Sequence, residues 1–254
     1  VTHPYYEDDH VQLYLGDMRE VLPALGITAD LIVADPPYAE TSLAWDRWPD
    51  GWPALAATAS SSMWCFGSMR MLLHRRDEFA DWQLSQDVVW EKTAGSSPAT
   101  DRFKRVHEIA THWYRGEWRG VHHATPRHVP PGGARSHTQP GEKVAKRGPR
   151  AEHLGVYGTG TWVDDGTRYM TSVIACKNLR GFAIHPTEKP VGILRPLIEY
   201  GCPPGGLVVD PFAGSGSTLD AARLIGRRAI GVEWHEPYVE AAARRLAQAP
   251  LELA

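Results

Sequence analysis

Residues 31–38 read LIVADPPY. Four apolar residues run into a carboxylate, Asp35. Pro36 and Pro37 then stiffen the turn that leads to Tyr38, because proline fixes φ and gives up its N–H. A carboxylate on a rigid turn is a hydrogen-bond acceptor that stays where it is placed; a Pro-rich turn after a strand is the plainer reading. A second stretch, DPFAGSGST (210–218), has glycines that let backbone approach a ligand closely, and it opens a helix whose first N–H groups are free. It lacks the lysine of a phosphate-gripping loop, and Leu219 stands where a GxGxxG dinucleotide fingerprint needs its third glycine. The next strand, AIGVE, ends in Glu233, seventeen residues past Gly216, where an acid can hold the ribose hydroxyls of a nucleoside. The pair suggests a nucleoside cofactor without a pyrophosphate-binding loop, a description that S-adenosylmethionine fits.

The elements that must position these groups alternate along the chain. VQLYLGD (11–17) reads as a strand and 18–25 as a helix limited by Pro23. LIVA is all apolar, which suits a strand covered on both faces of a parallel sheet. A helix over 52–61, a strand over 62–68, a helix over 69–79, and strands within 82–92 and 106–116 follow. After residue 183 regular pattern returns: a helix over 189–202, a strand over 206–212, a helix over 217–226 closed by Gly226, a strand over 227–233 and a helix over 235–248. Strands alternating with helices imply a doubly wound α/β domain with a mostly parallel sheet.

Residues 117–183 have a different texture, rich in Gly, Pro, His and Arg with weak periodicity, and read as an insertion. The chain of 254 residues carries a formal charge of −3, yet Arg115–Arg150 holds eight cationic residues against Glu117 and Glu142, a segment charge of +6. A basic patch on an acidic body points to a polyanionic partner, with a solvated loop as the alternative. Cys65, Cys176 and Cys202 show no CxxC spacing, which suggests a reducing, cytoplasmic compartment and no structural zinc. His122, His123, His128 and His137 lack metal-ligand spacing, so no metal is expected. No apolar run is long enough to span a membrane.

With DPPY placed before DPFAGSGST, the chain resembles the amino-group DNA methyltransferases, which methylate adenine N6 or cytosine N4. The order, with the basic segment between the two motifs, is similar to the permuted β class. LGDMREVL (15–22), WEK (90–92), RFKRVHEIATHW (102–113) and HPTEKPVGILRPLI (185–198) support the likeness. It implies a class I, Rossmann-like methyltransferase fold in which 1–116 and 184–254 are the catalytic and cofactor halves of one domain. Residues 117–183 become a small irregular target-recognition insertion. Such a sheet needs a further cofactor-side strand after Glu233, and VQLYLGD can supply it, with Asp17 as the acid facing the cofactor's adenine.

The resemblance implies S-adenosyl-L-methionine as cofactor. It implies Asp35, Pro36, Pro37 and Tyr38 as the catalytic turn. Asp35 and the Pro36 carbonyl would accept hydrogen bonds from the exocyclic amine of a flipped base, and Tyr38 would stack on that base. Asp17, Asp35, His185, Thr187, Lys189, Asp210, Phe212, Ala213, Gly214, Ser215, Gly216, Ser217, Thr218, Glu233 and Trp234 would hold the cofactor, Lys189 near its methionine carboxylate. Arg102, Lys104, Arg105, Arg127, Arg135, Lys143, Lys146, Arg147 and Arg150 would touch double-stranded DNA. Aspartate in DPPY leans towards adenine N6, with cytosine N4 as the alternative. No cysteine follows a proline, as cytosine-C5 chemistry would need. The short insertion suggests a small target or help from a second subunit, and the resemblance, several of whose members pair, points to a homodimer. The lack of a nuclease-like motif suggests a solitary enzyme, one role for which is protecting DNA from restriction. RNA or protein substrates, or a non-catalytic fold, are the rival readings.

Overall fold

The computed structural model describes residues 3–40, 46–92, 100–129, 142–144, 161–163, 165–177 and 188–248. It separates into two compact units, residues 1–124 with 172–254, and residues 125–171.

The larger unit is built on one nine-stranded sheet. Its strands are β1 (Tyr6–Glu7), β2 (Val11–Leu15), β3 (Leu31–Ala34), β4 (Ser62–Gly67), β5 (Gln83–Glu91), β6 (His107–Tyr114), β11 (Val173–Ala175), β12 (Leu207–Asp210) and β13 (Arg228–Glu233). The spatial order is β1-β2-β13-β12-β3-β4-β6-β5-β11. From β2 to β4 every neighbouring pair is parallel; β6 runs antiparallel to both β4 and β5, and β1 antiparallel to β2.

Side-chain alternation along the central strands explains their uninterrupted apolar sequences. Leu31 and Val33 of β3 point into one core with Trp64 and Phe66 of β4, while Ile32, Ala34, Met63 and Cys65 point into the other. Both faces are therefore dry, and neither tolerates a polar residue in alternate positions. Helices α4 (Val191–Gly201), α5 (Ser217–Leu224) and α6 (Glu236–Leu246) contribute to the first core; α1 (Met18–Leu25), α2 (Trp52–Ala59) and α3 (Met69–His74) contribute to the second. This is the doubly wound arrangement that the alternation of elements predicts.

One detail differs from the sequence reading and two go beyond it. The helix expected over 69–79 ends at His74 and continues as a 3-10 turn, Arg76–Phe79, whose Phe79 is buried. The hairpin of β5 and β6 enters the sheet in reverse order, so β6 lies between β4 and β5. Val173–Ala175, within the stretch read as the insertion, pairs parallel to β5 at the sheet edge.

The smaller unit contains β7 (Arg127–His128) paired with β10 (Arg168–Tyr169), and β8 (Glu142–Val144) paired with β9 (Thr161–Val163), both antiparallel. Among the described residues no helix is long and apolar enough to cross a membrane.

Glycine at 231 is required by packing. A Cβ there would lie 2.8 Å from Leu219 Cδ2 and 3.0 Å from Ala213 Cβ, with Leu219 fully buried. Gly231→Ala is expected to destabilise the fold by about 1–3 kcal/mol through overpacking, read as a lower urea midpoint with an unchanged slope.

Candidate active site

Strands β12 and β3 are parallel neighbours at the centre of the sheet, and the chain leaves them in opposite directions: β3 leads to β4 on one side, β12 to β13 on the other. Ligands of open α/β sheets bind in the crevice beyond such a switch point, at the carboxyl ends of the strands. Four acids stand there. Asp35 follows β3, Asp210 ends β12, Glu233 ends β13, and Asp17 lies just beyond β2. All four line one cavity of about 900 Å³.

Both oxygens of Asp35 are engaged. Tyr38 donates its hydroxyl to Oδ1 at 2.8 Å, and the Lys189 ammonium sits against Oδ2. Lys189 also lies 3.4 Å from Glu108 Oε2, and Lys92 pairs with Glu108 Oε1. Two carboxylates and two ammonium groups thus form one chain of opposite charges, in which the Lys189 side chain is only 7% exposed. Burial alone would lower the Lys189 pKa, but Asp35 and Glu108 outweigh it and raise it. Burial alone would raise that of Glu108, but Lys189 and Lys92 hold it below the usual carboxylate range. Burial, reinforced by the Asp35 charge, pushes the Tyr38 phenol well above its ordinary value.

The turn after Tyr38 has its own clamp. Ala39 sits at φ 56°, a left-handed conformation, and Asp46 accepts from Ala39 N at 2.8 Å and from Glu40 N at 3.0 Å. Asp46 is buried, so its carboxylate fixes the chain where it leaves the DPPY turn.

On the other side of the switch point, Glu233 is buried. Its Oε2 accepts from Gly214 N at 2.9 Å and its Oε1 from His235 N at 2.8 Å. Each oxygen keeps a lone pair for a further donor. Gly214 and Gly216 adopt φ 51° and 76°, open to glycine without strain, and Gly216 caps α5. Asp210 accepts from Phe212 N at 2.9 Å, and burial, aided by the charges of Asp35 and Glu233, lifts its pKa to about 7. Phe212 packs edge-on against Trp52 with ring centroids 5.2 Å apart. Asp17 caps α1 by accepting from Arg19 N at 2.8 Å. Its hydrogen bond to the Arg19 side chain, the larger effect, keeps its pKa low.

Most of the sequence-derived residues meet here. Pro36, Pro37, Ala213, Ser215, Ser217, Thr218 and the half-exposed Trp234 line the same cavity. The Ser215 and Ser217 hydroxyls bond Arg245, which also pairs with Glu188 at 2.6 Å. Lys189, for which the sequence suggests a place near a cofactor carboxylate, holds Asp35. Arg102, Lys104 and Arg105 are exposed, and Arg105 reaches the cavity rim. Arg127, in the smaller unit, is held by Asp165 at 3.0 Å and stacks over Tyr169. Lys143 lies on β8. His185, Thr187, Arg135, Lys146, Arg147 and Arg150 lie outside the described residues. Glu108, Lys92 and Asp46 were missed as site residues. Glu108 sits inside RFKRVHE and Lys92 inside WEK, but only their convergence with Lys189 shows their part. Among the described residues no cluster of His, Cys, Asp and Glu could hold a metal ion.

A family model for DNA methylases, N6_N4_Mtase, matches residues 29–244. The chain belongs to this N6/N4 DNA methylase family. It is 59% identical over 63 residues to YubD and 44% identical over 62 residues to the DNA adenine methyltransferase YhdJ, both of Escherichia coli (strain K12). These stretches are 25% and 24% of this chain and cover only 28% of YubD and 21% of YhdJ, about a quarter of each relative. Among solved structures, the M1.HpyAVI–SAM complex superposes with a TM-score of 0.66 at 20% identity, over 94% of this chain and all of that one. The cytosine-N4-specific PvuII DNA methyltransferase superposes at 0.63 and 18%, over all of this chain and 91% of that one. Both show the class I methyltransferase fold.

The family uses S-adenosylmethionine, and the residues here fit it. Glu233 keeps acceptor capacity that ribose hydroxyls would need, the glycine turn exposes backbone, and Asp210 and Glu233, without an ion-pair partner among the described residues, would suit a cationic ligand.

Two variants probe these electrostatics. Asp210 binds a proton more tightly folded than unfolded, so its contribution is fully present below pH ~4 and is lost as pH rises towards 7. Asp210→Asn is expected to gain stability over the wild type between pH 5 and 8, on the order of 2–4 kcal/mol, in urea titrations at the two pH values. Equal pH dependence in both proteins would exclude this assignment. Lys189→Met leaves Asp35 and Glu108 without the cation between them and is expected to lower stability by about 3–5 kcal/mol, with Lys189→Arg retaining part of it.

Proposed function

We propose that this chain is a site-specific DNA methyltransferase, moving a methyl group from S-adenosylmethionine to adenine N6 of a base flipped out of double-stranded DNA. The observation that carries the reading is the convergence of Asp35 and Glu233, an acceptor for an amine and an acceptor for a ribose, on one acid-lined cavity at the switch point. The order of DPPY before DPFAGSGST supports the permuted β arrangement.

S-adenosylmethionine supplies an electrophilic methyl group on a positively charged sulfur. The exocyclic amine of adenine is a poor nucleophile, because its lone pair is delocalised into the ring. The Asp35 carboxylate and the Pro36 carbonyl accept its two N–H groups and draw the lone pair out of the ring. To reach Oδ1, the amine replaces the Tyr38 hydroxyl, which frees that ring to lie on the face of the base. Lys189 stays against Oδ2 and fixes the carboxylate's orientation. The new N–C bond then forms in line as the C–S bond breaks, its electron pair staying on sulfur, and the ammonium proton passes to Asp35 or to water. Positioning of this kind contributes up to ~7–11 kcal/mol.

Aspartate as the first residue of DPPY supports adenine, as does the likeness to YhdJ. The basic residues Arg127, Arg135, Lys143, Lys146, Arg147 and Arg150 are proposed to carry target recognition.

The test is transfer of labelled methyl from S-adenosylmethionine to unmethylated duplex DNA, followed by mass spectrometry of the nucleosides. Labelled N6-methyladenine is the expected product. Labelled N4-methylcytosine would retain the mechanism and reverse the base assignment; no labelled nucleoside would overturn the reading. Asp35→Ala is expected to lower kcat at least 100-fold with cofactor affinity nearly unchanged, and Glu233→Ala to weaken cofactor binding by calorimetry instead.

A further inference from the structure

A second groove, of about 540 Å³, opens beside the cavity and shares Glu40, Arg105 and His107 with it. One wall is the start of α3, with Met69 and Arg70; the other is the end of the β5–β6 hairpin, closed by Lys92 N donating to Val106 O at 2.8 Å. The groove's features do not serve the fold. Phe103 is 101% exposed, its ring standing free in water, and Met69 is 54% exposed. Four cationic side chains line the groove: Arg70, Arg102, Lys104 and Arg105. Arg102 pairs with Asp101 at 2.6 Å and Glu40 accepts from the Ser68 hydroxyl at 2.6 Å; the four cations outnumber these two acids, so the remaining charge is positive.

We infer that this groove seats the nucleotide next to the target base, with Phe103 stacked on its base and Arg70, Lys104 and Arg105 against its phosphates. The inference rests on the proposed DNA methyltransferase activity. A base held at Asp35 is covalently tethered to its neighbours, so its strand must leave the cavity along the rim. A contiguous groove that offers an aromatic face among cations matches what a single strand presents, a π-face and a phosphate at each step. An apolar ring in water beside cations, continuous with a site for a base, favours nucleic acid over a protein or lipid partner.

The experiment compares the wild type, Phe103→Ala and Phe103→Trp on a duplex carrying the mapped methylation site. Each is also assayed on duplexes in which the nucleotide 5′ or 3′ to the target is replaced by an abasic residue. Phe103→Ala is expected to lower kcat/KM for intact DNA by about 5- to 150-fold, the range of one base–aromatic stack. Phe103→Trp should restore most of it. On one of the two abasic duplexes the Ala variant and the wild type should converge, because the stacked base is already gone. Affinity for S-adenosylmethionine by calorimetry should be the same in all three, which shows that the fold is intact. Equal rates for Ala variant and wild type on intact DNA, or the same ratio between them on all three duplexes, would overturn the groove assignment while leaving the activity standing. Absence of transfer by the wild type itself would instead overturn the activity, and the groove's role with it.

Discussion

The Lys189 ammonium is the contact on which the Asp35 half of the site depends. It comes from the residues just before α4, yet it meets Asp35 after β3 and Glu108 on β6. Asp35, partly buried at the end of a hydrophobic strand, loses hydration that the apolar core does not repay, and the Lys189 charge offsets that loss. A single ammonium between two acids would leave the pair with a net negative charge. Lys92 supplies the second cation, and its aliphatic stem brings its charge over the Trp90 ring as well. The DPPY turn is therefore held by charge from one side and by the buried Asp46 from the other, while the prolines remove the slack between them.

That balance contrasts with the cofactor half. Asp210 and Glu233 are buried; Phe212 N and the Thr218 side chain bond Asp210, Gly214 N and His235 N bond Glu233, and among the described residues no lysine pairs with either. Both have raised pKa values, Asp210 up to about 7. The two halves of one cavity thus differ in kind: one is internally neutralised, the other is left short of positive charge. An unneutralised acidic pocket is costly to the fold alone but complements a cationic ligand. Under the proposed function, this asymmetry would orient the ligands, the cofactor's cation over β12 and β13 and the neutral base over β3.

How much of this was legible in the sequence follows from how local each signal is. LIVA before Asp35 and GLVVD before the glycine turn could be read because both sheet faces are dry, which forces continuous apolar runs. Glu233 could be read because the residue at the tip of a parallel strand faces the ligand crevice whatever the rest of the chain does. The contact of Lys189 with Asp35 is not legible in the sequence, because the two lie 154 positions apart. Glu108 looked like one charge on a basic, DNA-facing edge. Its burial depends on β6 lying between β4 and β5, and nothing in the hairpin's own sequence states which strand faces inward. The break after His74 was invisible for a similar reason: Phe79 is drawn into the aromatic cluster of Trp48, Trp52 and Trp113, a tertiary pull that outweighs helical pattern.

The chain order of the two motifs matters less to the site than their order across the sheet. Parallel pairing of β12 with β3 brings Val208 beside Leu31 and Val209 beside Ile32, which sets Asp210 and Asp35 at the same end of adjacent strands. β13 continues the register on one side and pairs with β2, placing Glu233 opposite Leu15 and Asp17 just beyond it. Four acids from segments near residues 17, 35, 210 and 233 thus share one edge because parallel strands have all their carboxyl ends on one side. A long, basic segment can then separate β6 from β12 in sequence without disturbing the site, since among the described residues no ladder bond that positions these acids passes through it.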